Sequence, residues 1–332
     1  MTVPISKIHP ELFHYTGIGG LEGIIKNQTL RATHAAYLND ATEIRAFESR
    51  LSEILRAPIE KVVADSVAKA RANQTLIEQH GVVAKAAEEL ARDFVTDMYN
   101  ALLGTKGVQA YAEPYVTSFC TASSGKIAQH GLLSQWRAYG QDGGYVIVFD
   151  TAKLKLLLKE EGAKWGYDLF GRAVIYSSDS EEKILEELGD DFQEIQNSIA
   201  QFLESNGDAT KLEGTYYPFI RCACRYKHWG FHEEKEVRIV AIPPNKKLFE
   251  AQRAHGLVAD EKPRRHFVRA GTPVPCIDLF DGITKLPEKP LPITRIIVGP
   301  HRDKDKRQRA VESLLGQYGL NIPVSVSEIP YI

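Results

Sequence analysis

No stretch of this chain holds the roughly 20 consecutive apolar residues that a bilayer-spanning helix needs, so no membrane span is expected. The opening MTVPISKIHPELF lacks a basic segment followed by a long apolar one, the pattern of a secretory leader. Cysteine is scarce: Cys120, Cys222, Cys224 and Cys276 are too few, in 332 residues, for a disulfide framework. These absences predict a reduced, cytoplasmic protein with no membrane partner. A dominant charge is missing too. Lys and Arg number 41 against 43 Asp and Glu, so no global basic field marks nucleic acid as the partner. Internal repeats, low-complexity tracts and a G-x-x-x-x-G-K-[ST] phosphate loop are all absent.

Period-two alternation marks strands at Leu12–Thr16, Tyr115–Cys120, Gly143–Asp150, Ala173–Ser177, Glu236–Pro244 and in TRIIVGP. GLLSQWRAYG and HRDKDKRQRAVESLLGQYG read as helices, and IPVSVSEIPYI as a last strand. Two segments rich in Ala, Glu, Lys and Leu, at about 41–103 and 181–206, carry helical spacing, the second with a break at Gly189. Strands with scattered helices predict a single α+β domain over 1–332 with two helical insertions, not a regular βαβ array.

LFHYTGIGGLEGII (Leu12–Ile25) places four glycines within seven residues between a strand and a helix. A dinucleotide fingerprint needs G-x-G-x-x-G there. Gly17 and Gly19 fit, but Glu22 holds the third position, where its charge would oppose a pyrophosphate. The glycines are therefore expected to form a tight turn that lets the helix pack close to the strand.

Cys222, Cys224, His228 and His232 in CACRYKHWGFHEE are possible zinc ligands. No single regular element presents all four, and C-x2-C pairs are absent, so no metal site is expected; a helix over Thr215–Tyr226 packing its cysteines inward is the preferred reading. The basic runs KPRRHFVR (Lys262–Arg269) and HRDKDKRQR (His301–Arg309) read as solvated faces, or as phosphate contacts for a macromolecular target.

HYT at His14–Thr16, SQWRAYG at Ser134–Gly140, GGYVIVFD, FHEEKEVRIV at Phe231–Val240, IIVGP at Ile296–Pro300 and SEIPY at Ser327–Tyr331 resemble, taken together and in this order, a bacterial family called domain of unknown function 2971. At fold level that family is similar to the ADP-ribosyltransferases, which bind NAD in a cleft between two small antiparallel sheets. The resemblance implies an ADP-ribosyltransferase-like split antiparallel core and NAD as a consumed substrate, with no separate cofactor. It implies Glu236 as the catalytic carboxylate, with Glu234 completing an E-x-E pair. It also implies an NAD-binding set of His14, Tyr15 and Thr16 on the first strand, with Tyr37, Asn39, Ser118, Trp136, Arg137, Tyr139 and Arg238. Strand alternation would put Glu234, Glu236 and Arg238 on one face.

A carboxylate against the ribose 2′-OH would stabilise the oxocarbenium-like ribose that forms as nicotinamide leaves. Each residue also has a plainer reading. His14 could be a hydrogen-bonded core residue, Glu236 could pair with Arg238, and Trp136 and Tyr139 could be the buried side of a helix. Tyr37, Asn39 and Asp40 could form only a turn. The expected function is transfer of ADP-ribose from NAD to a protein or nucleic-acid acceptor, as in a toxin or phage-defence effector. The alternatives are a non-catalytic nucleotide- or protein-binding module and, further off, a zinc hydrolase.

Overall fold

In the computed structural model, residues 5–38, 83–103, 113–140, 143–205 and 208–330 are described, with short pieces between 50 and 65. The strands among them are, in chain order, β1 (Glu11–Thr16), β2 (Leu30–His34), β3 (Tyr115–Phe119), β4 (Tyr145–Asp150), β5 (Asp168–Ala173), β6 (Ile175–Tyr176), β7 (Tyr226–Lys227), β8 (Val237–Ile242), β9 (Arg265–Arg269), β10 (Thr272–Leu279), β11 (Ile293–Val298) and β12 (Val324–Val326). The chain divides into two compact units: residues 1–34, 115–174 and 230–332 form the first, and 35–114 with 175–229 the second.

The first unit is α+β with mainly antiparallel sheets. One sheet runs β1-β4-β11-β12, antiparallel except for the β11–β12 pair; the other, β5-β8-β3-β2-β10-β9, is antiparallel throughout. An isolated bridge joins them, where Phe13 and Cys120 exchange backbone hydrogen bonds of 3.0 and 2.9 Å. The reason for the YVIVFD run is visible in β4, which is buried on both faces. Tyr145, Ile147 and Phe149 enter a core shared with Leu12, Phe119, Val237 and Ile239 of the two sheets. Val146 and Val148 face a second core with Phe13, Tyr15 and Trp136. Each such side chain contributes roughly 1.5–3 kcal/mol by leaving water.

The helix Thr151–Trp165 packs Leu154, Leu157 and Leu158 on the first core. Asp150 caps it, accepting from Lys153 N at 3.0 Å, and Gly166 ends it in the left-handed region. The glycines after HYT differ from expectation. Only Gly17, extended at φ −81° and ψ −178°, links β1 to the helix Ile18–Asn27, and Gly19, Gly20 and Gly23 lie inside that helix. They make no turn of their own.

The second unit holds described parts of both expected insertions. The helix Val83–Leu103 carries Tyr99, edge-on to Phe219 at 5.0 Å, and the helix Glu181–Glu204 leaves helical geometry at Gly189. Arg221 pairs with Asp191 at 2.6 Å, and Arg225, almost wholly buried, pairs with Glu187 at 2.8 Å. No helix among the described residues is long and apolar enough to cross a membrane.

Candidate functional site

His14 sits midway along β1, where alternation gives Phe13 and Tyr15 to the second core and turns Leu12, His14 and Thr16 to the other face. Its ring lies against Phe119, centroids 5.6 Å apart and tilted, and Nδ1 meets the Ser118 carbonyl at 3.1 Å. A carbonyl only accepts, so Nδ1 carries the proton and Nε2 is left as an acceptor. Burial pushes the pKa of His14 below its ordinary value, opposed by the Ser118 bond, so the neutral ring is favoured.

This has a consequence for stability. Where the folded pKa is depressed, the unfolded chain binds more protons over the window between the folded value and 6.5. Stability must then fall as pH drops through that window. His9 adds to the trend, its pKa lowered by burial and by Lys235. A melting temperature that decreases from about pH 7 to about pH 5, and decreases less in His14→Gln, is the expected result. Equal slopes in the two proteins would contradict it.

Ser118 links His14 to the far side of β3. It is exposed and stands opposite Arg238 of β8, which in turn stands opposite Arg172 of β5. Arg238 and Glu236 are 4% and 3% exposed and share one face. Nε donates to Oε1 at 2.8 Å and Nη2 to Oε2 at 3.3 Å, so the guanidinium spans the carboxylate. Val237, between them, points into the inter-sheet core with Phe119. His14 thus approaches β3 from the core side, and the Glu236–Arg238 pair lies on its outer side.

The E-x-E pair does not share a strand. Glu234 ends a 3-10 turn (Trp229–Glu234), and Lys235 takes φ 42°, so alternation begins only at Glu236. Thr121 Oγ1 donates to the Lys235 carbonyl at 3.0 Å and holds this bend in place. Arg172 and Thr121 escaped the sequence reading. The RAV of RAVIYSS placed the strand too late to reveal Arg172, and nothing local marks Thr121.

Other sequence candidates fall elsewhere. Trp136 is 4% exposed, stacked edge-on to Tyr15 at 5.1 Å, with Nε1 donating to the His130 carbonyl at 2.9 Å. The Tyr15 hydroxyl accepts from Leu132 N at 2.7 Å. Both rings build the core, with no open face for nicotinamide. Arg137 and Tyr139, on the same short helix (Leu133–Tyr139), are exposed, and Thr16 is partly exposed at the end of β1. Tyr37 is exposed in the second unit, and Asn39 lies outside the described residues, as does Asp40. Cys222 and Cys224 are buried, Cys222 in the helix Tyr216–Ala223 and Cys224 as its C-cap, and burial pushes the Cys222 thiol pKa up. Among the described residues no group of three or more His, Cys, Asp or Glu side chains is arranged to hold a metal ion.

Residues 135–239 match the model of a family described as a protein of unknown function (DUF2971), which supports that family for the chain. The match takes in Trp136, Glu234, Glu236 and Arg238 and leaves His14 outside. No curated protein and no solved structure matches the chain.

Proposed function

We propose, with the family match over residues 135–239 as premise, that this chain is an NAD-consuming enzyme of ADP-ribosyltransferase type. The observation that carries the reading is strand adjacency. His14 on β1 is bonded to Ser118 on β3, and Ser118 stands opposite Arg238, beside Glu236, at the start of β8. A first-strand histidine and a serine on β3 are bonded where two antiparallel sheets meet, and the carboxylate stands just before β8, the strand next to β3. In this reading Glu236, oriented by Arg238, faces the charge growing on the ribose, and His14, on the core side of β3, holds that strand through the Ser118 carbonyl. The C1′–N bond breaks, nicotinamide leaves neutral with the electron pair, and an acceptor O–H or N–H adds to C1′ and loses its proton to solvent.

Incubating the protein with NAD and cell lysate is expected to release nicotinamide, and Glu236→Gln is expected to slow release by about 10²–10³-fold. A wild type that releases none, under conditions where it is folded, would sink the proposal. A second reading is favoured by one specific observation: Arg238 spans the Glu236 carboxylate, across β3 from His14. That arrangement suits a module that binds a nucleotide or protein without turnover. Saturable NAD binding by calorimetry, with no nicotinamide released, would select it.

A further inference from the structure

A pocket of about 270 Å³ opens in the first unit, lined by the helix Thr151–Trp165, the short helix Ile5–Ile8 and the edge strand β5. Its cause is one missing side chain. Gly171 stands opposite Ile239 in the β5–β8 ladder, and so on the inner face of the sheet, where Leu169 packs on the first core. A Cβ at Gly171 would meet only Ile239, at 3.9 Å, so the space inside the strand is left unfilled. Leu12, Leu154 and Ile239 of the core form the floor, and the half-buried Ile5 and Leu169 the walls.

The lining divides by chemistry. Inside it is aliphatic, apart from Phe170 and from Thr151, whose hydroxyl is sealed from solvent. A polar ligand body would lose its hydration there with no hydrogen bond in return. The remaining lining residues are Lys155, Lys159 and Arg172, all exposed, and no described carboxylate joins them. Lys153 of the same helix pairs with Asp150, and Lys164 donates to the Gly282 carbonyl. The side chains of Lys155, Lys159 and Arg172 have no ion pair or hydrogen bond among the described residues. Lys155 and Lys159 also stand one helical turn apart, a spacing at which like charges repel. Three cations in contact with water therefore border an apolar slot.

We infer that this pocket binds a short amphiphilic anion, an aliphatic carboxylate of the medium-chain fatty-acid class, with its chain on the core and its head at the lysines. Charge complementarity fixes the sign of the head, and the aliphatic interior excludes a sugar or nucleotide body. The volume, just under the roughly 300 Å³ at which small-molecule sites begin, keeps the chain short. The site lies on the inner side of β8, away from the face shared by Glu236 and Arg238, and does not rest on the NAD reading.

The test titrates the full chain with octanoate by calorimetry. One saturable site is expected. Each methylene that enters the pocket should add about fourfold in affinity, so hexanoate should bind about tenfold more weakly. Octylamine, cationic near pH 7, should show no saturable binding, which separates the site from adsorption of any alkyl chain. Lys155→Glu with Lys159→Glu, both on the exposed side of their helix, is expected to weaken octanoate by at least about tenfold. Gly171→Leu fills the space, at a position whose backbone needs no glycine, and is expected to abolish binding without lowering the melting temperature. Should that variant fail to fold, the lysine reversal still decides. No saturable site for octanoate, hexanoate or octylamine as tight as octanoate, or unchanged affinity in either folded variant would each overturn the proposal. Neither Glu236 nor Arg238 lines the pocket, so octanoate binding and nicotinamide release can fail independently.

Discussion

Lys262→Met is expected to cost about 3–5 kcal/mol of folding stability, a large share of the roughly 5–15 kcal/mol that holds most domains. The side chain of Glu161 is 0% exposed and that of Lys262 1%, and they meet at 2.6 Å. Removing the ammonium leaves a carboxylate sealed from water with no counter-charge. Glu161 is also tied by its other oxygen, Oε2, which accepts from Phe280 N at 2.9 Å, where the Phe280 backbone takes φ 69°. One side chain of the helix Thr151–Trp165 therefore anchors both the segment before β9 and the turn after β10. Burial raises the pKa of Glu161, and Lys262 is the main force opposing that rise. Without Lys262 the folded-state pKa climbs further above the unfolded value. The folded protein then binds the extra proton across that window, so the variant loses stability as pH rises through it. The deficit against wild type should thus be greatest near pH 8 and shrink towards about pH 5. Glu161→Gln added to Lys262→Met keeps an acceptor for Phe280 N, removes the orphan charge, and should recover the larger part of the loss. Urea unfolding of the three proteins decides it. A single-variant deficit under about 1 kcal/mol, flat with pH, would show that the pair is not integral to the fold.

The strands that form the two-sided cores were legible because their alternation is local: those read at Leu12–Thr16, Tyr115–Cys120, Gly143–Asp150 and Glu236–Pro244 are found, within two residues at each end, at Glu11–Thr16, Tyr115–Phe119, Tyr145–Asp150 and Val237–Ile242. β10 did not, since Pro273 and Pro275 within TPVPCIDL argue against a strand. Both face β9, at Val268 and His266, in the outermost pair of the sheet. KPRRHFVR, read as a solvated basic face, holds β9 and the buried Lys262, whose partner Glu161 lies about a hundred residues away. The helix Thr151–Trp165 left a signal that was passed over, the Asp150 cap directly after a strand. At the candidate site, the pairing of Glu236 with Arg238 followed from their spacing. The separation of Glu234 did not, because nothing in EEKEV announces a left-handed Lys235.

Gly299→Ala is expected to cost about 3 kcal/mol or more, at or beyond the upper end of overpacking effects. The position has no left-handed backbone to explain its glycine, so the reason is contact. A Cβ there would lie 1.9 Å from the Gly143 carbonyl oxygen and 2.7 Å from the Trp136 ring. On the other flank of that ring is Gly131, at φ 78°, where a Cβ would likewise lie 2.7 Å from the indole. Tyr15 stacks on Trp136, and Ser327 Oγ donates to the His130 carbonyl that also accepts from Trp136 Nε1. HYT, SQWRAYG, GGYVIVFD, IIVGP and SEIPY, scattered along the sequence, thus converge on the packing of one tryptophan. Most of the motifs that carry the family resemblance are therefore architecture, and FHEEKEVRIV stands apart as the stretch that carries the proposed chemistry. Trp136→Leu alone should cost about 2–4 kcal/mol through the cavity it leaves. It should not rescue Gly299→Ala, because the closest obstacle is the backbone carbonyl of Gly143; the double variant should be less stable than either single one. The opening glycines give the opposite result. Gly19 and Gly23 are helical, with open space where a Cβ would stand, so alanine at either should stabilise by about 0.5–1 kcal/mol. Denaturant midpoints for these variants separate a glycine required by contact from one that is merely tolerated. A Gly299→Ala protein as stable as wild type would overturn contact as the reason for this glycine.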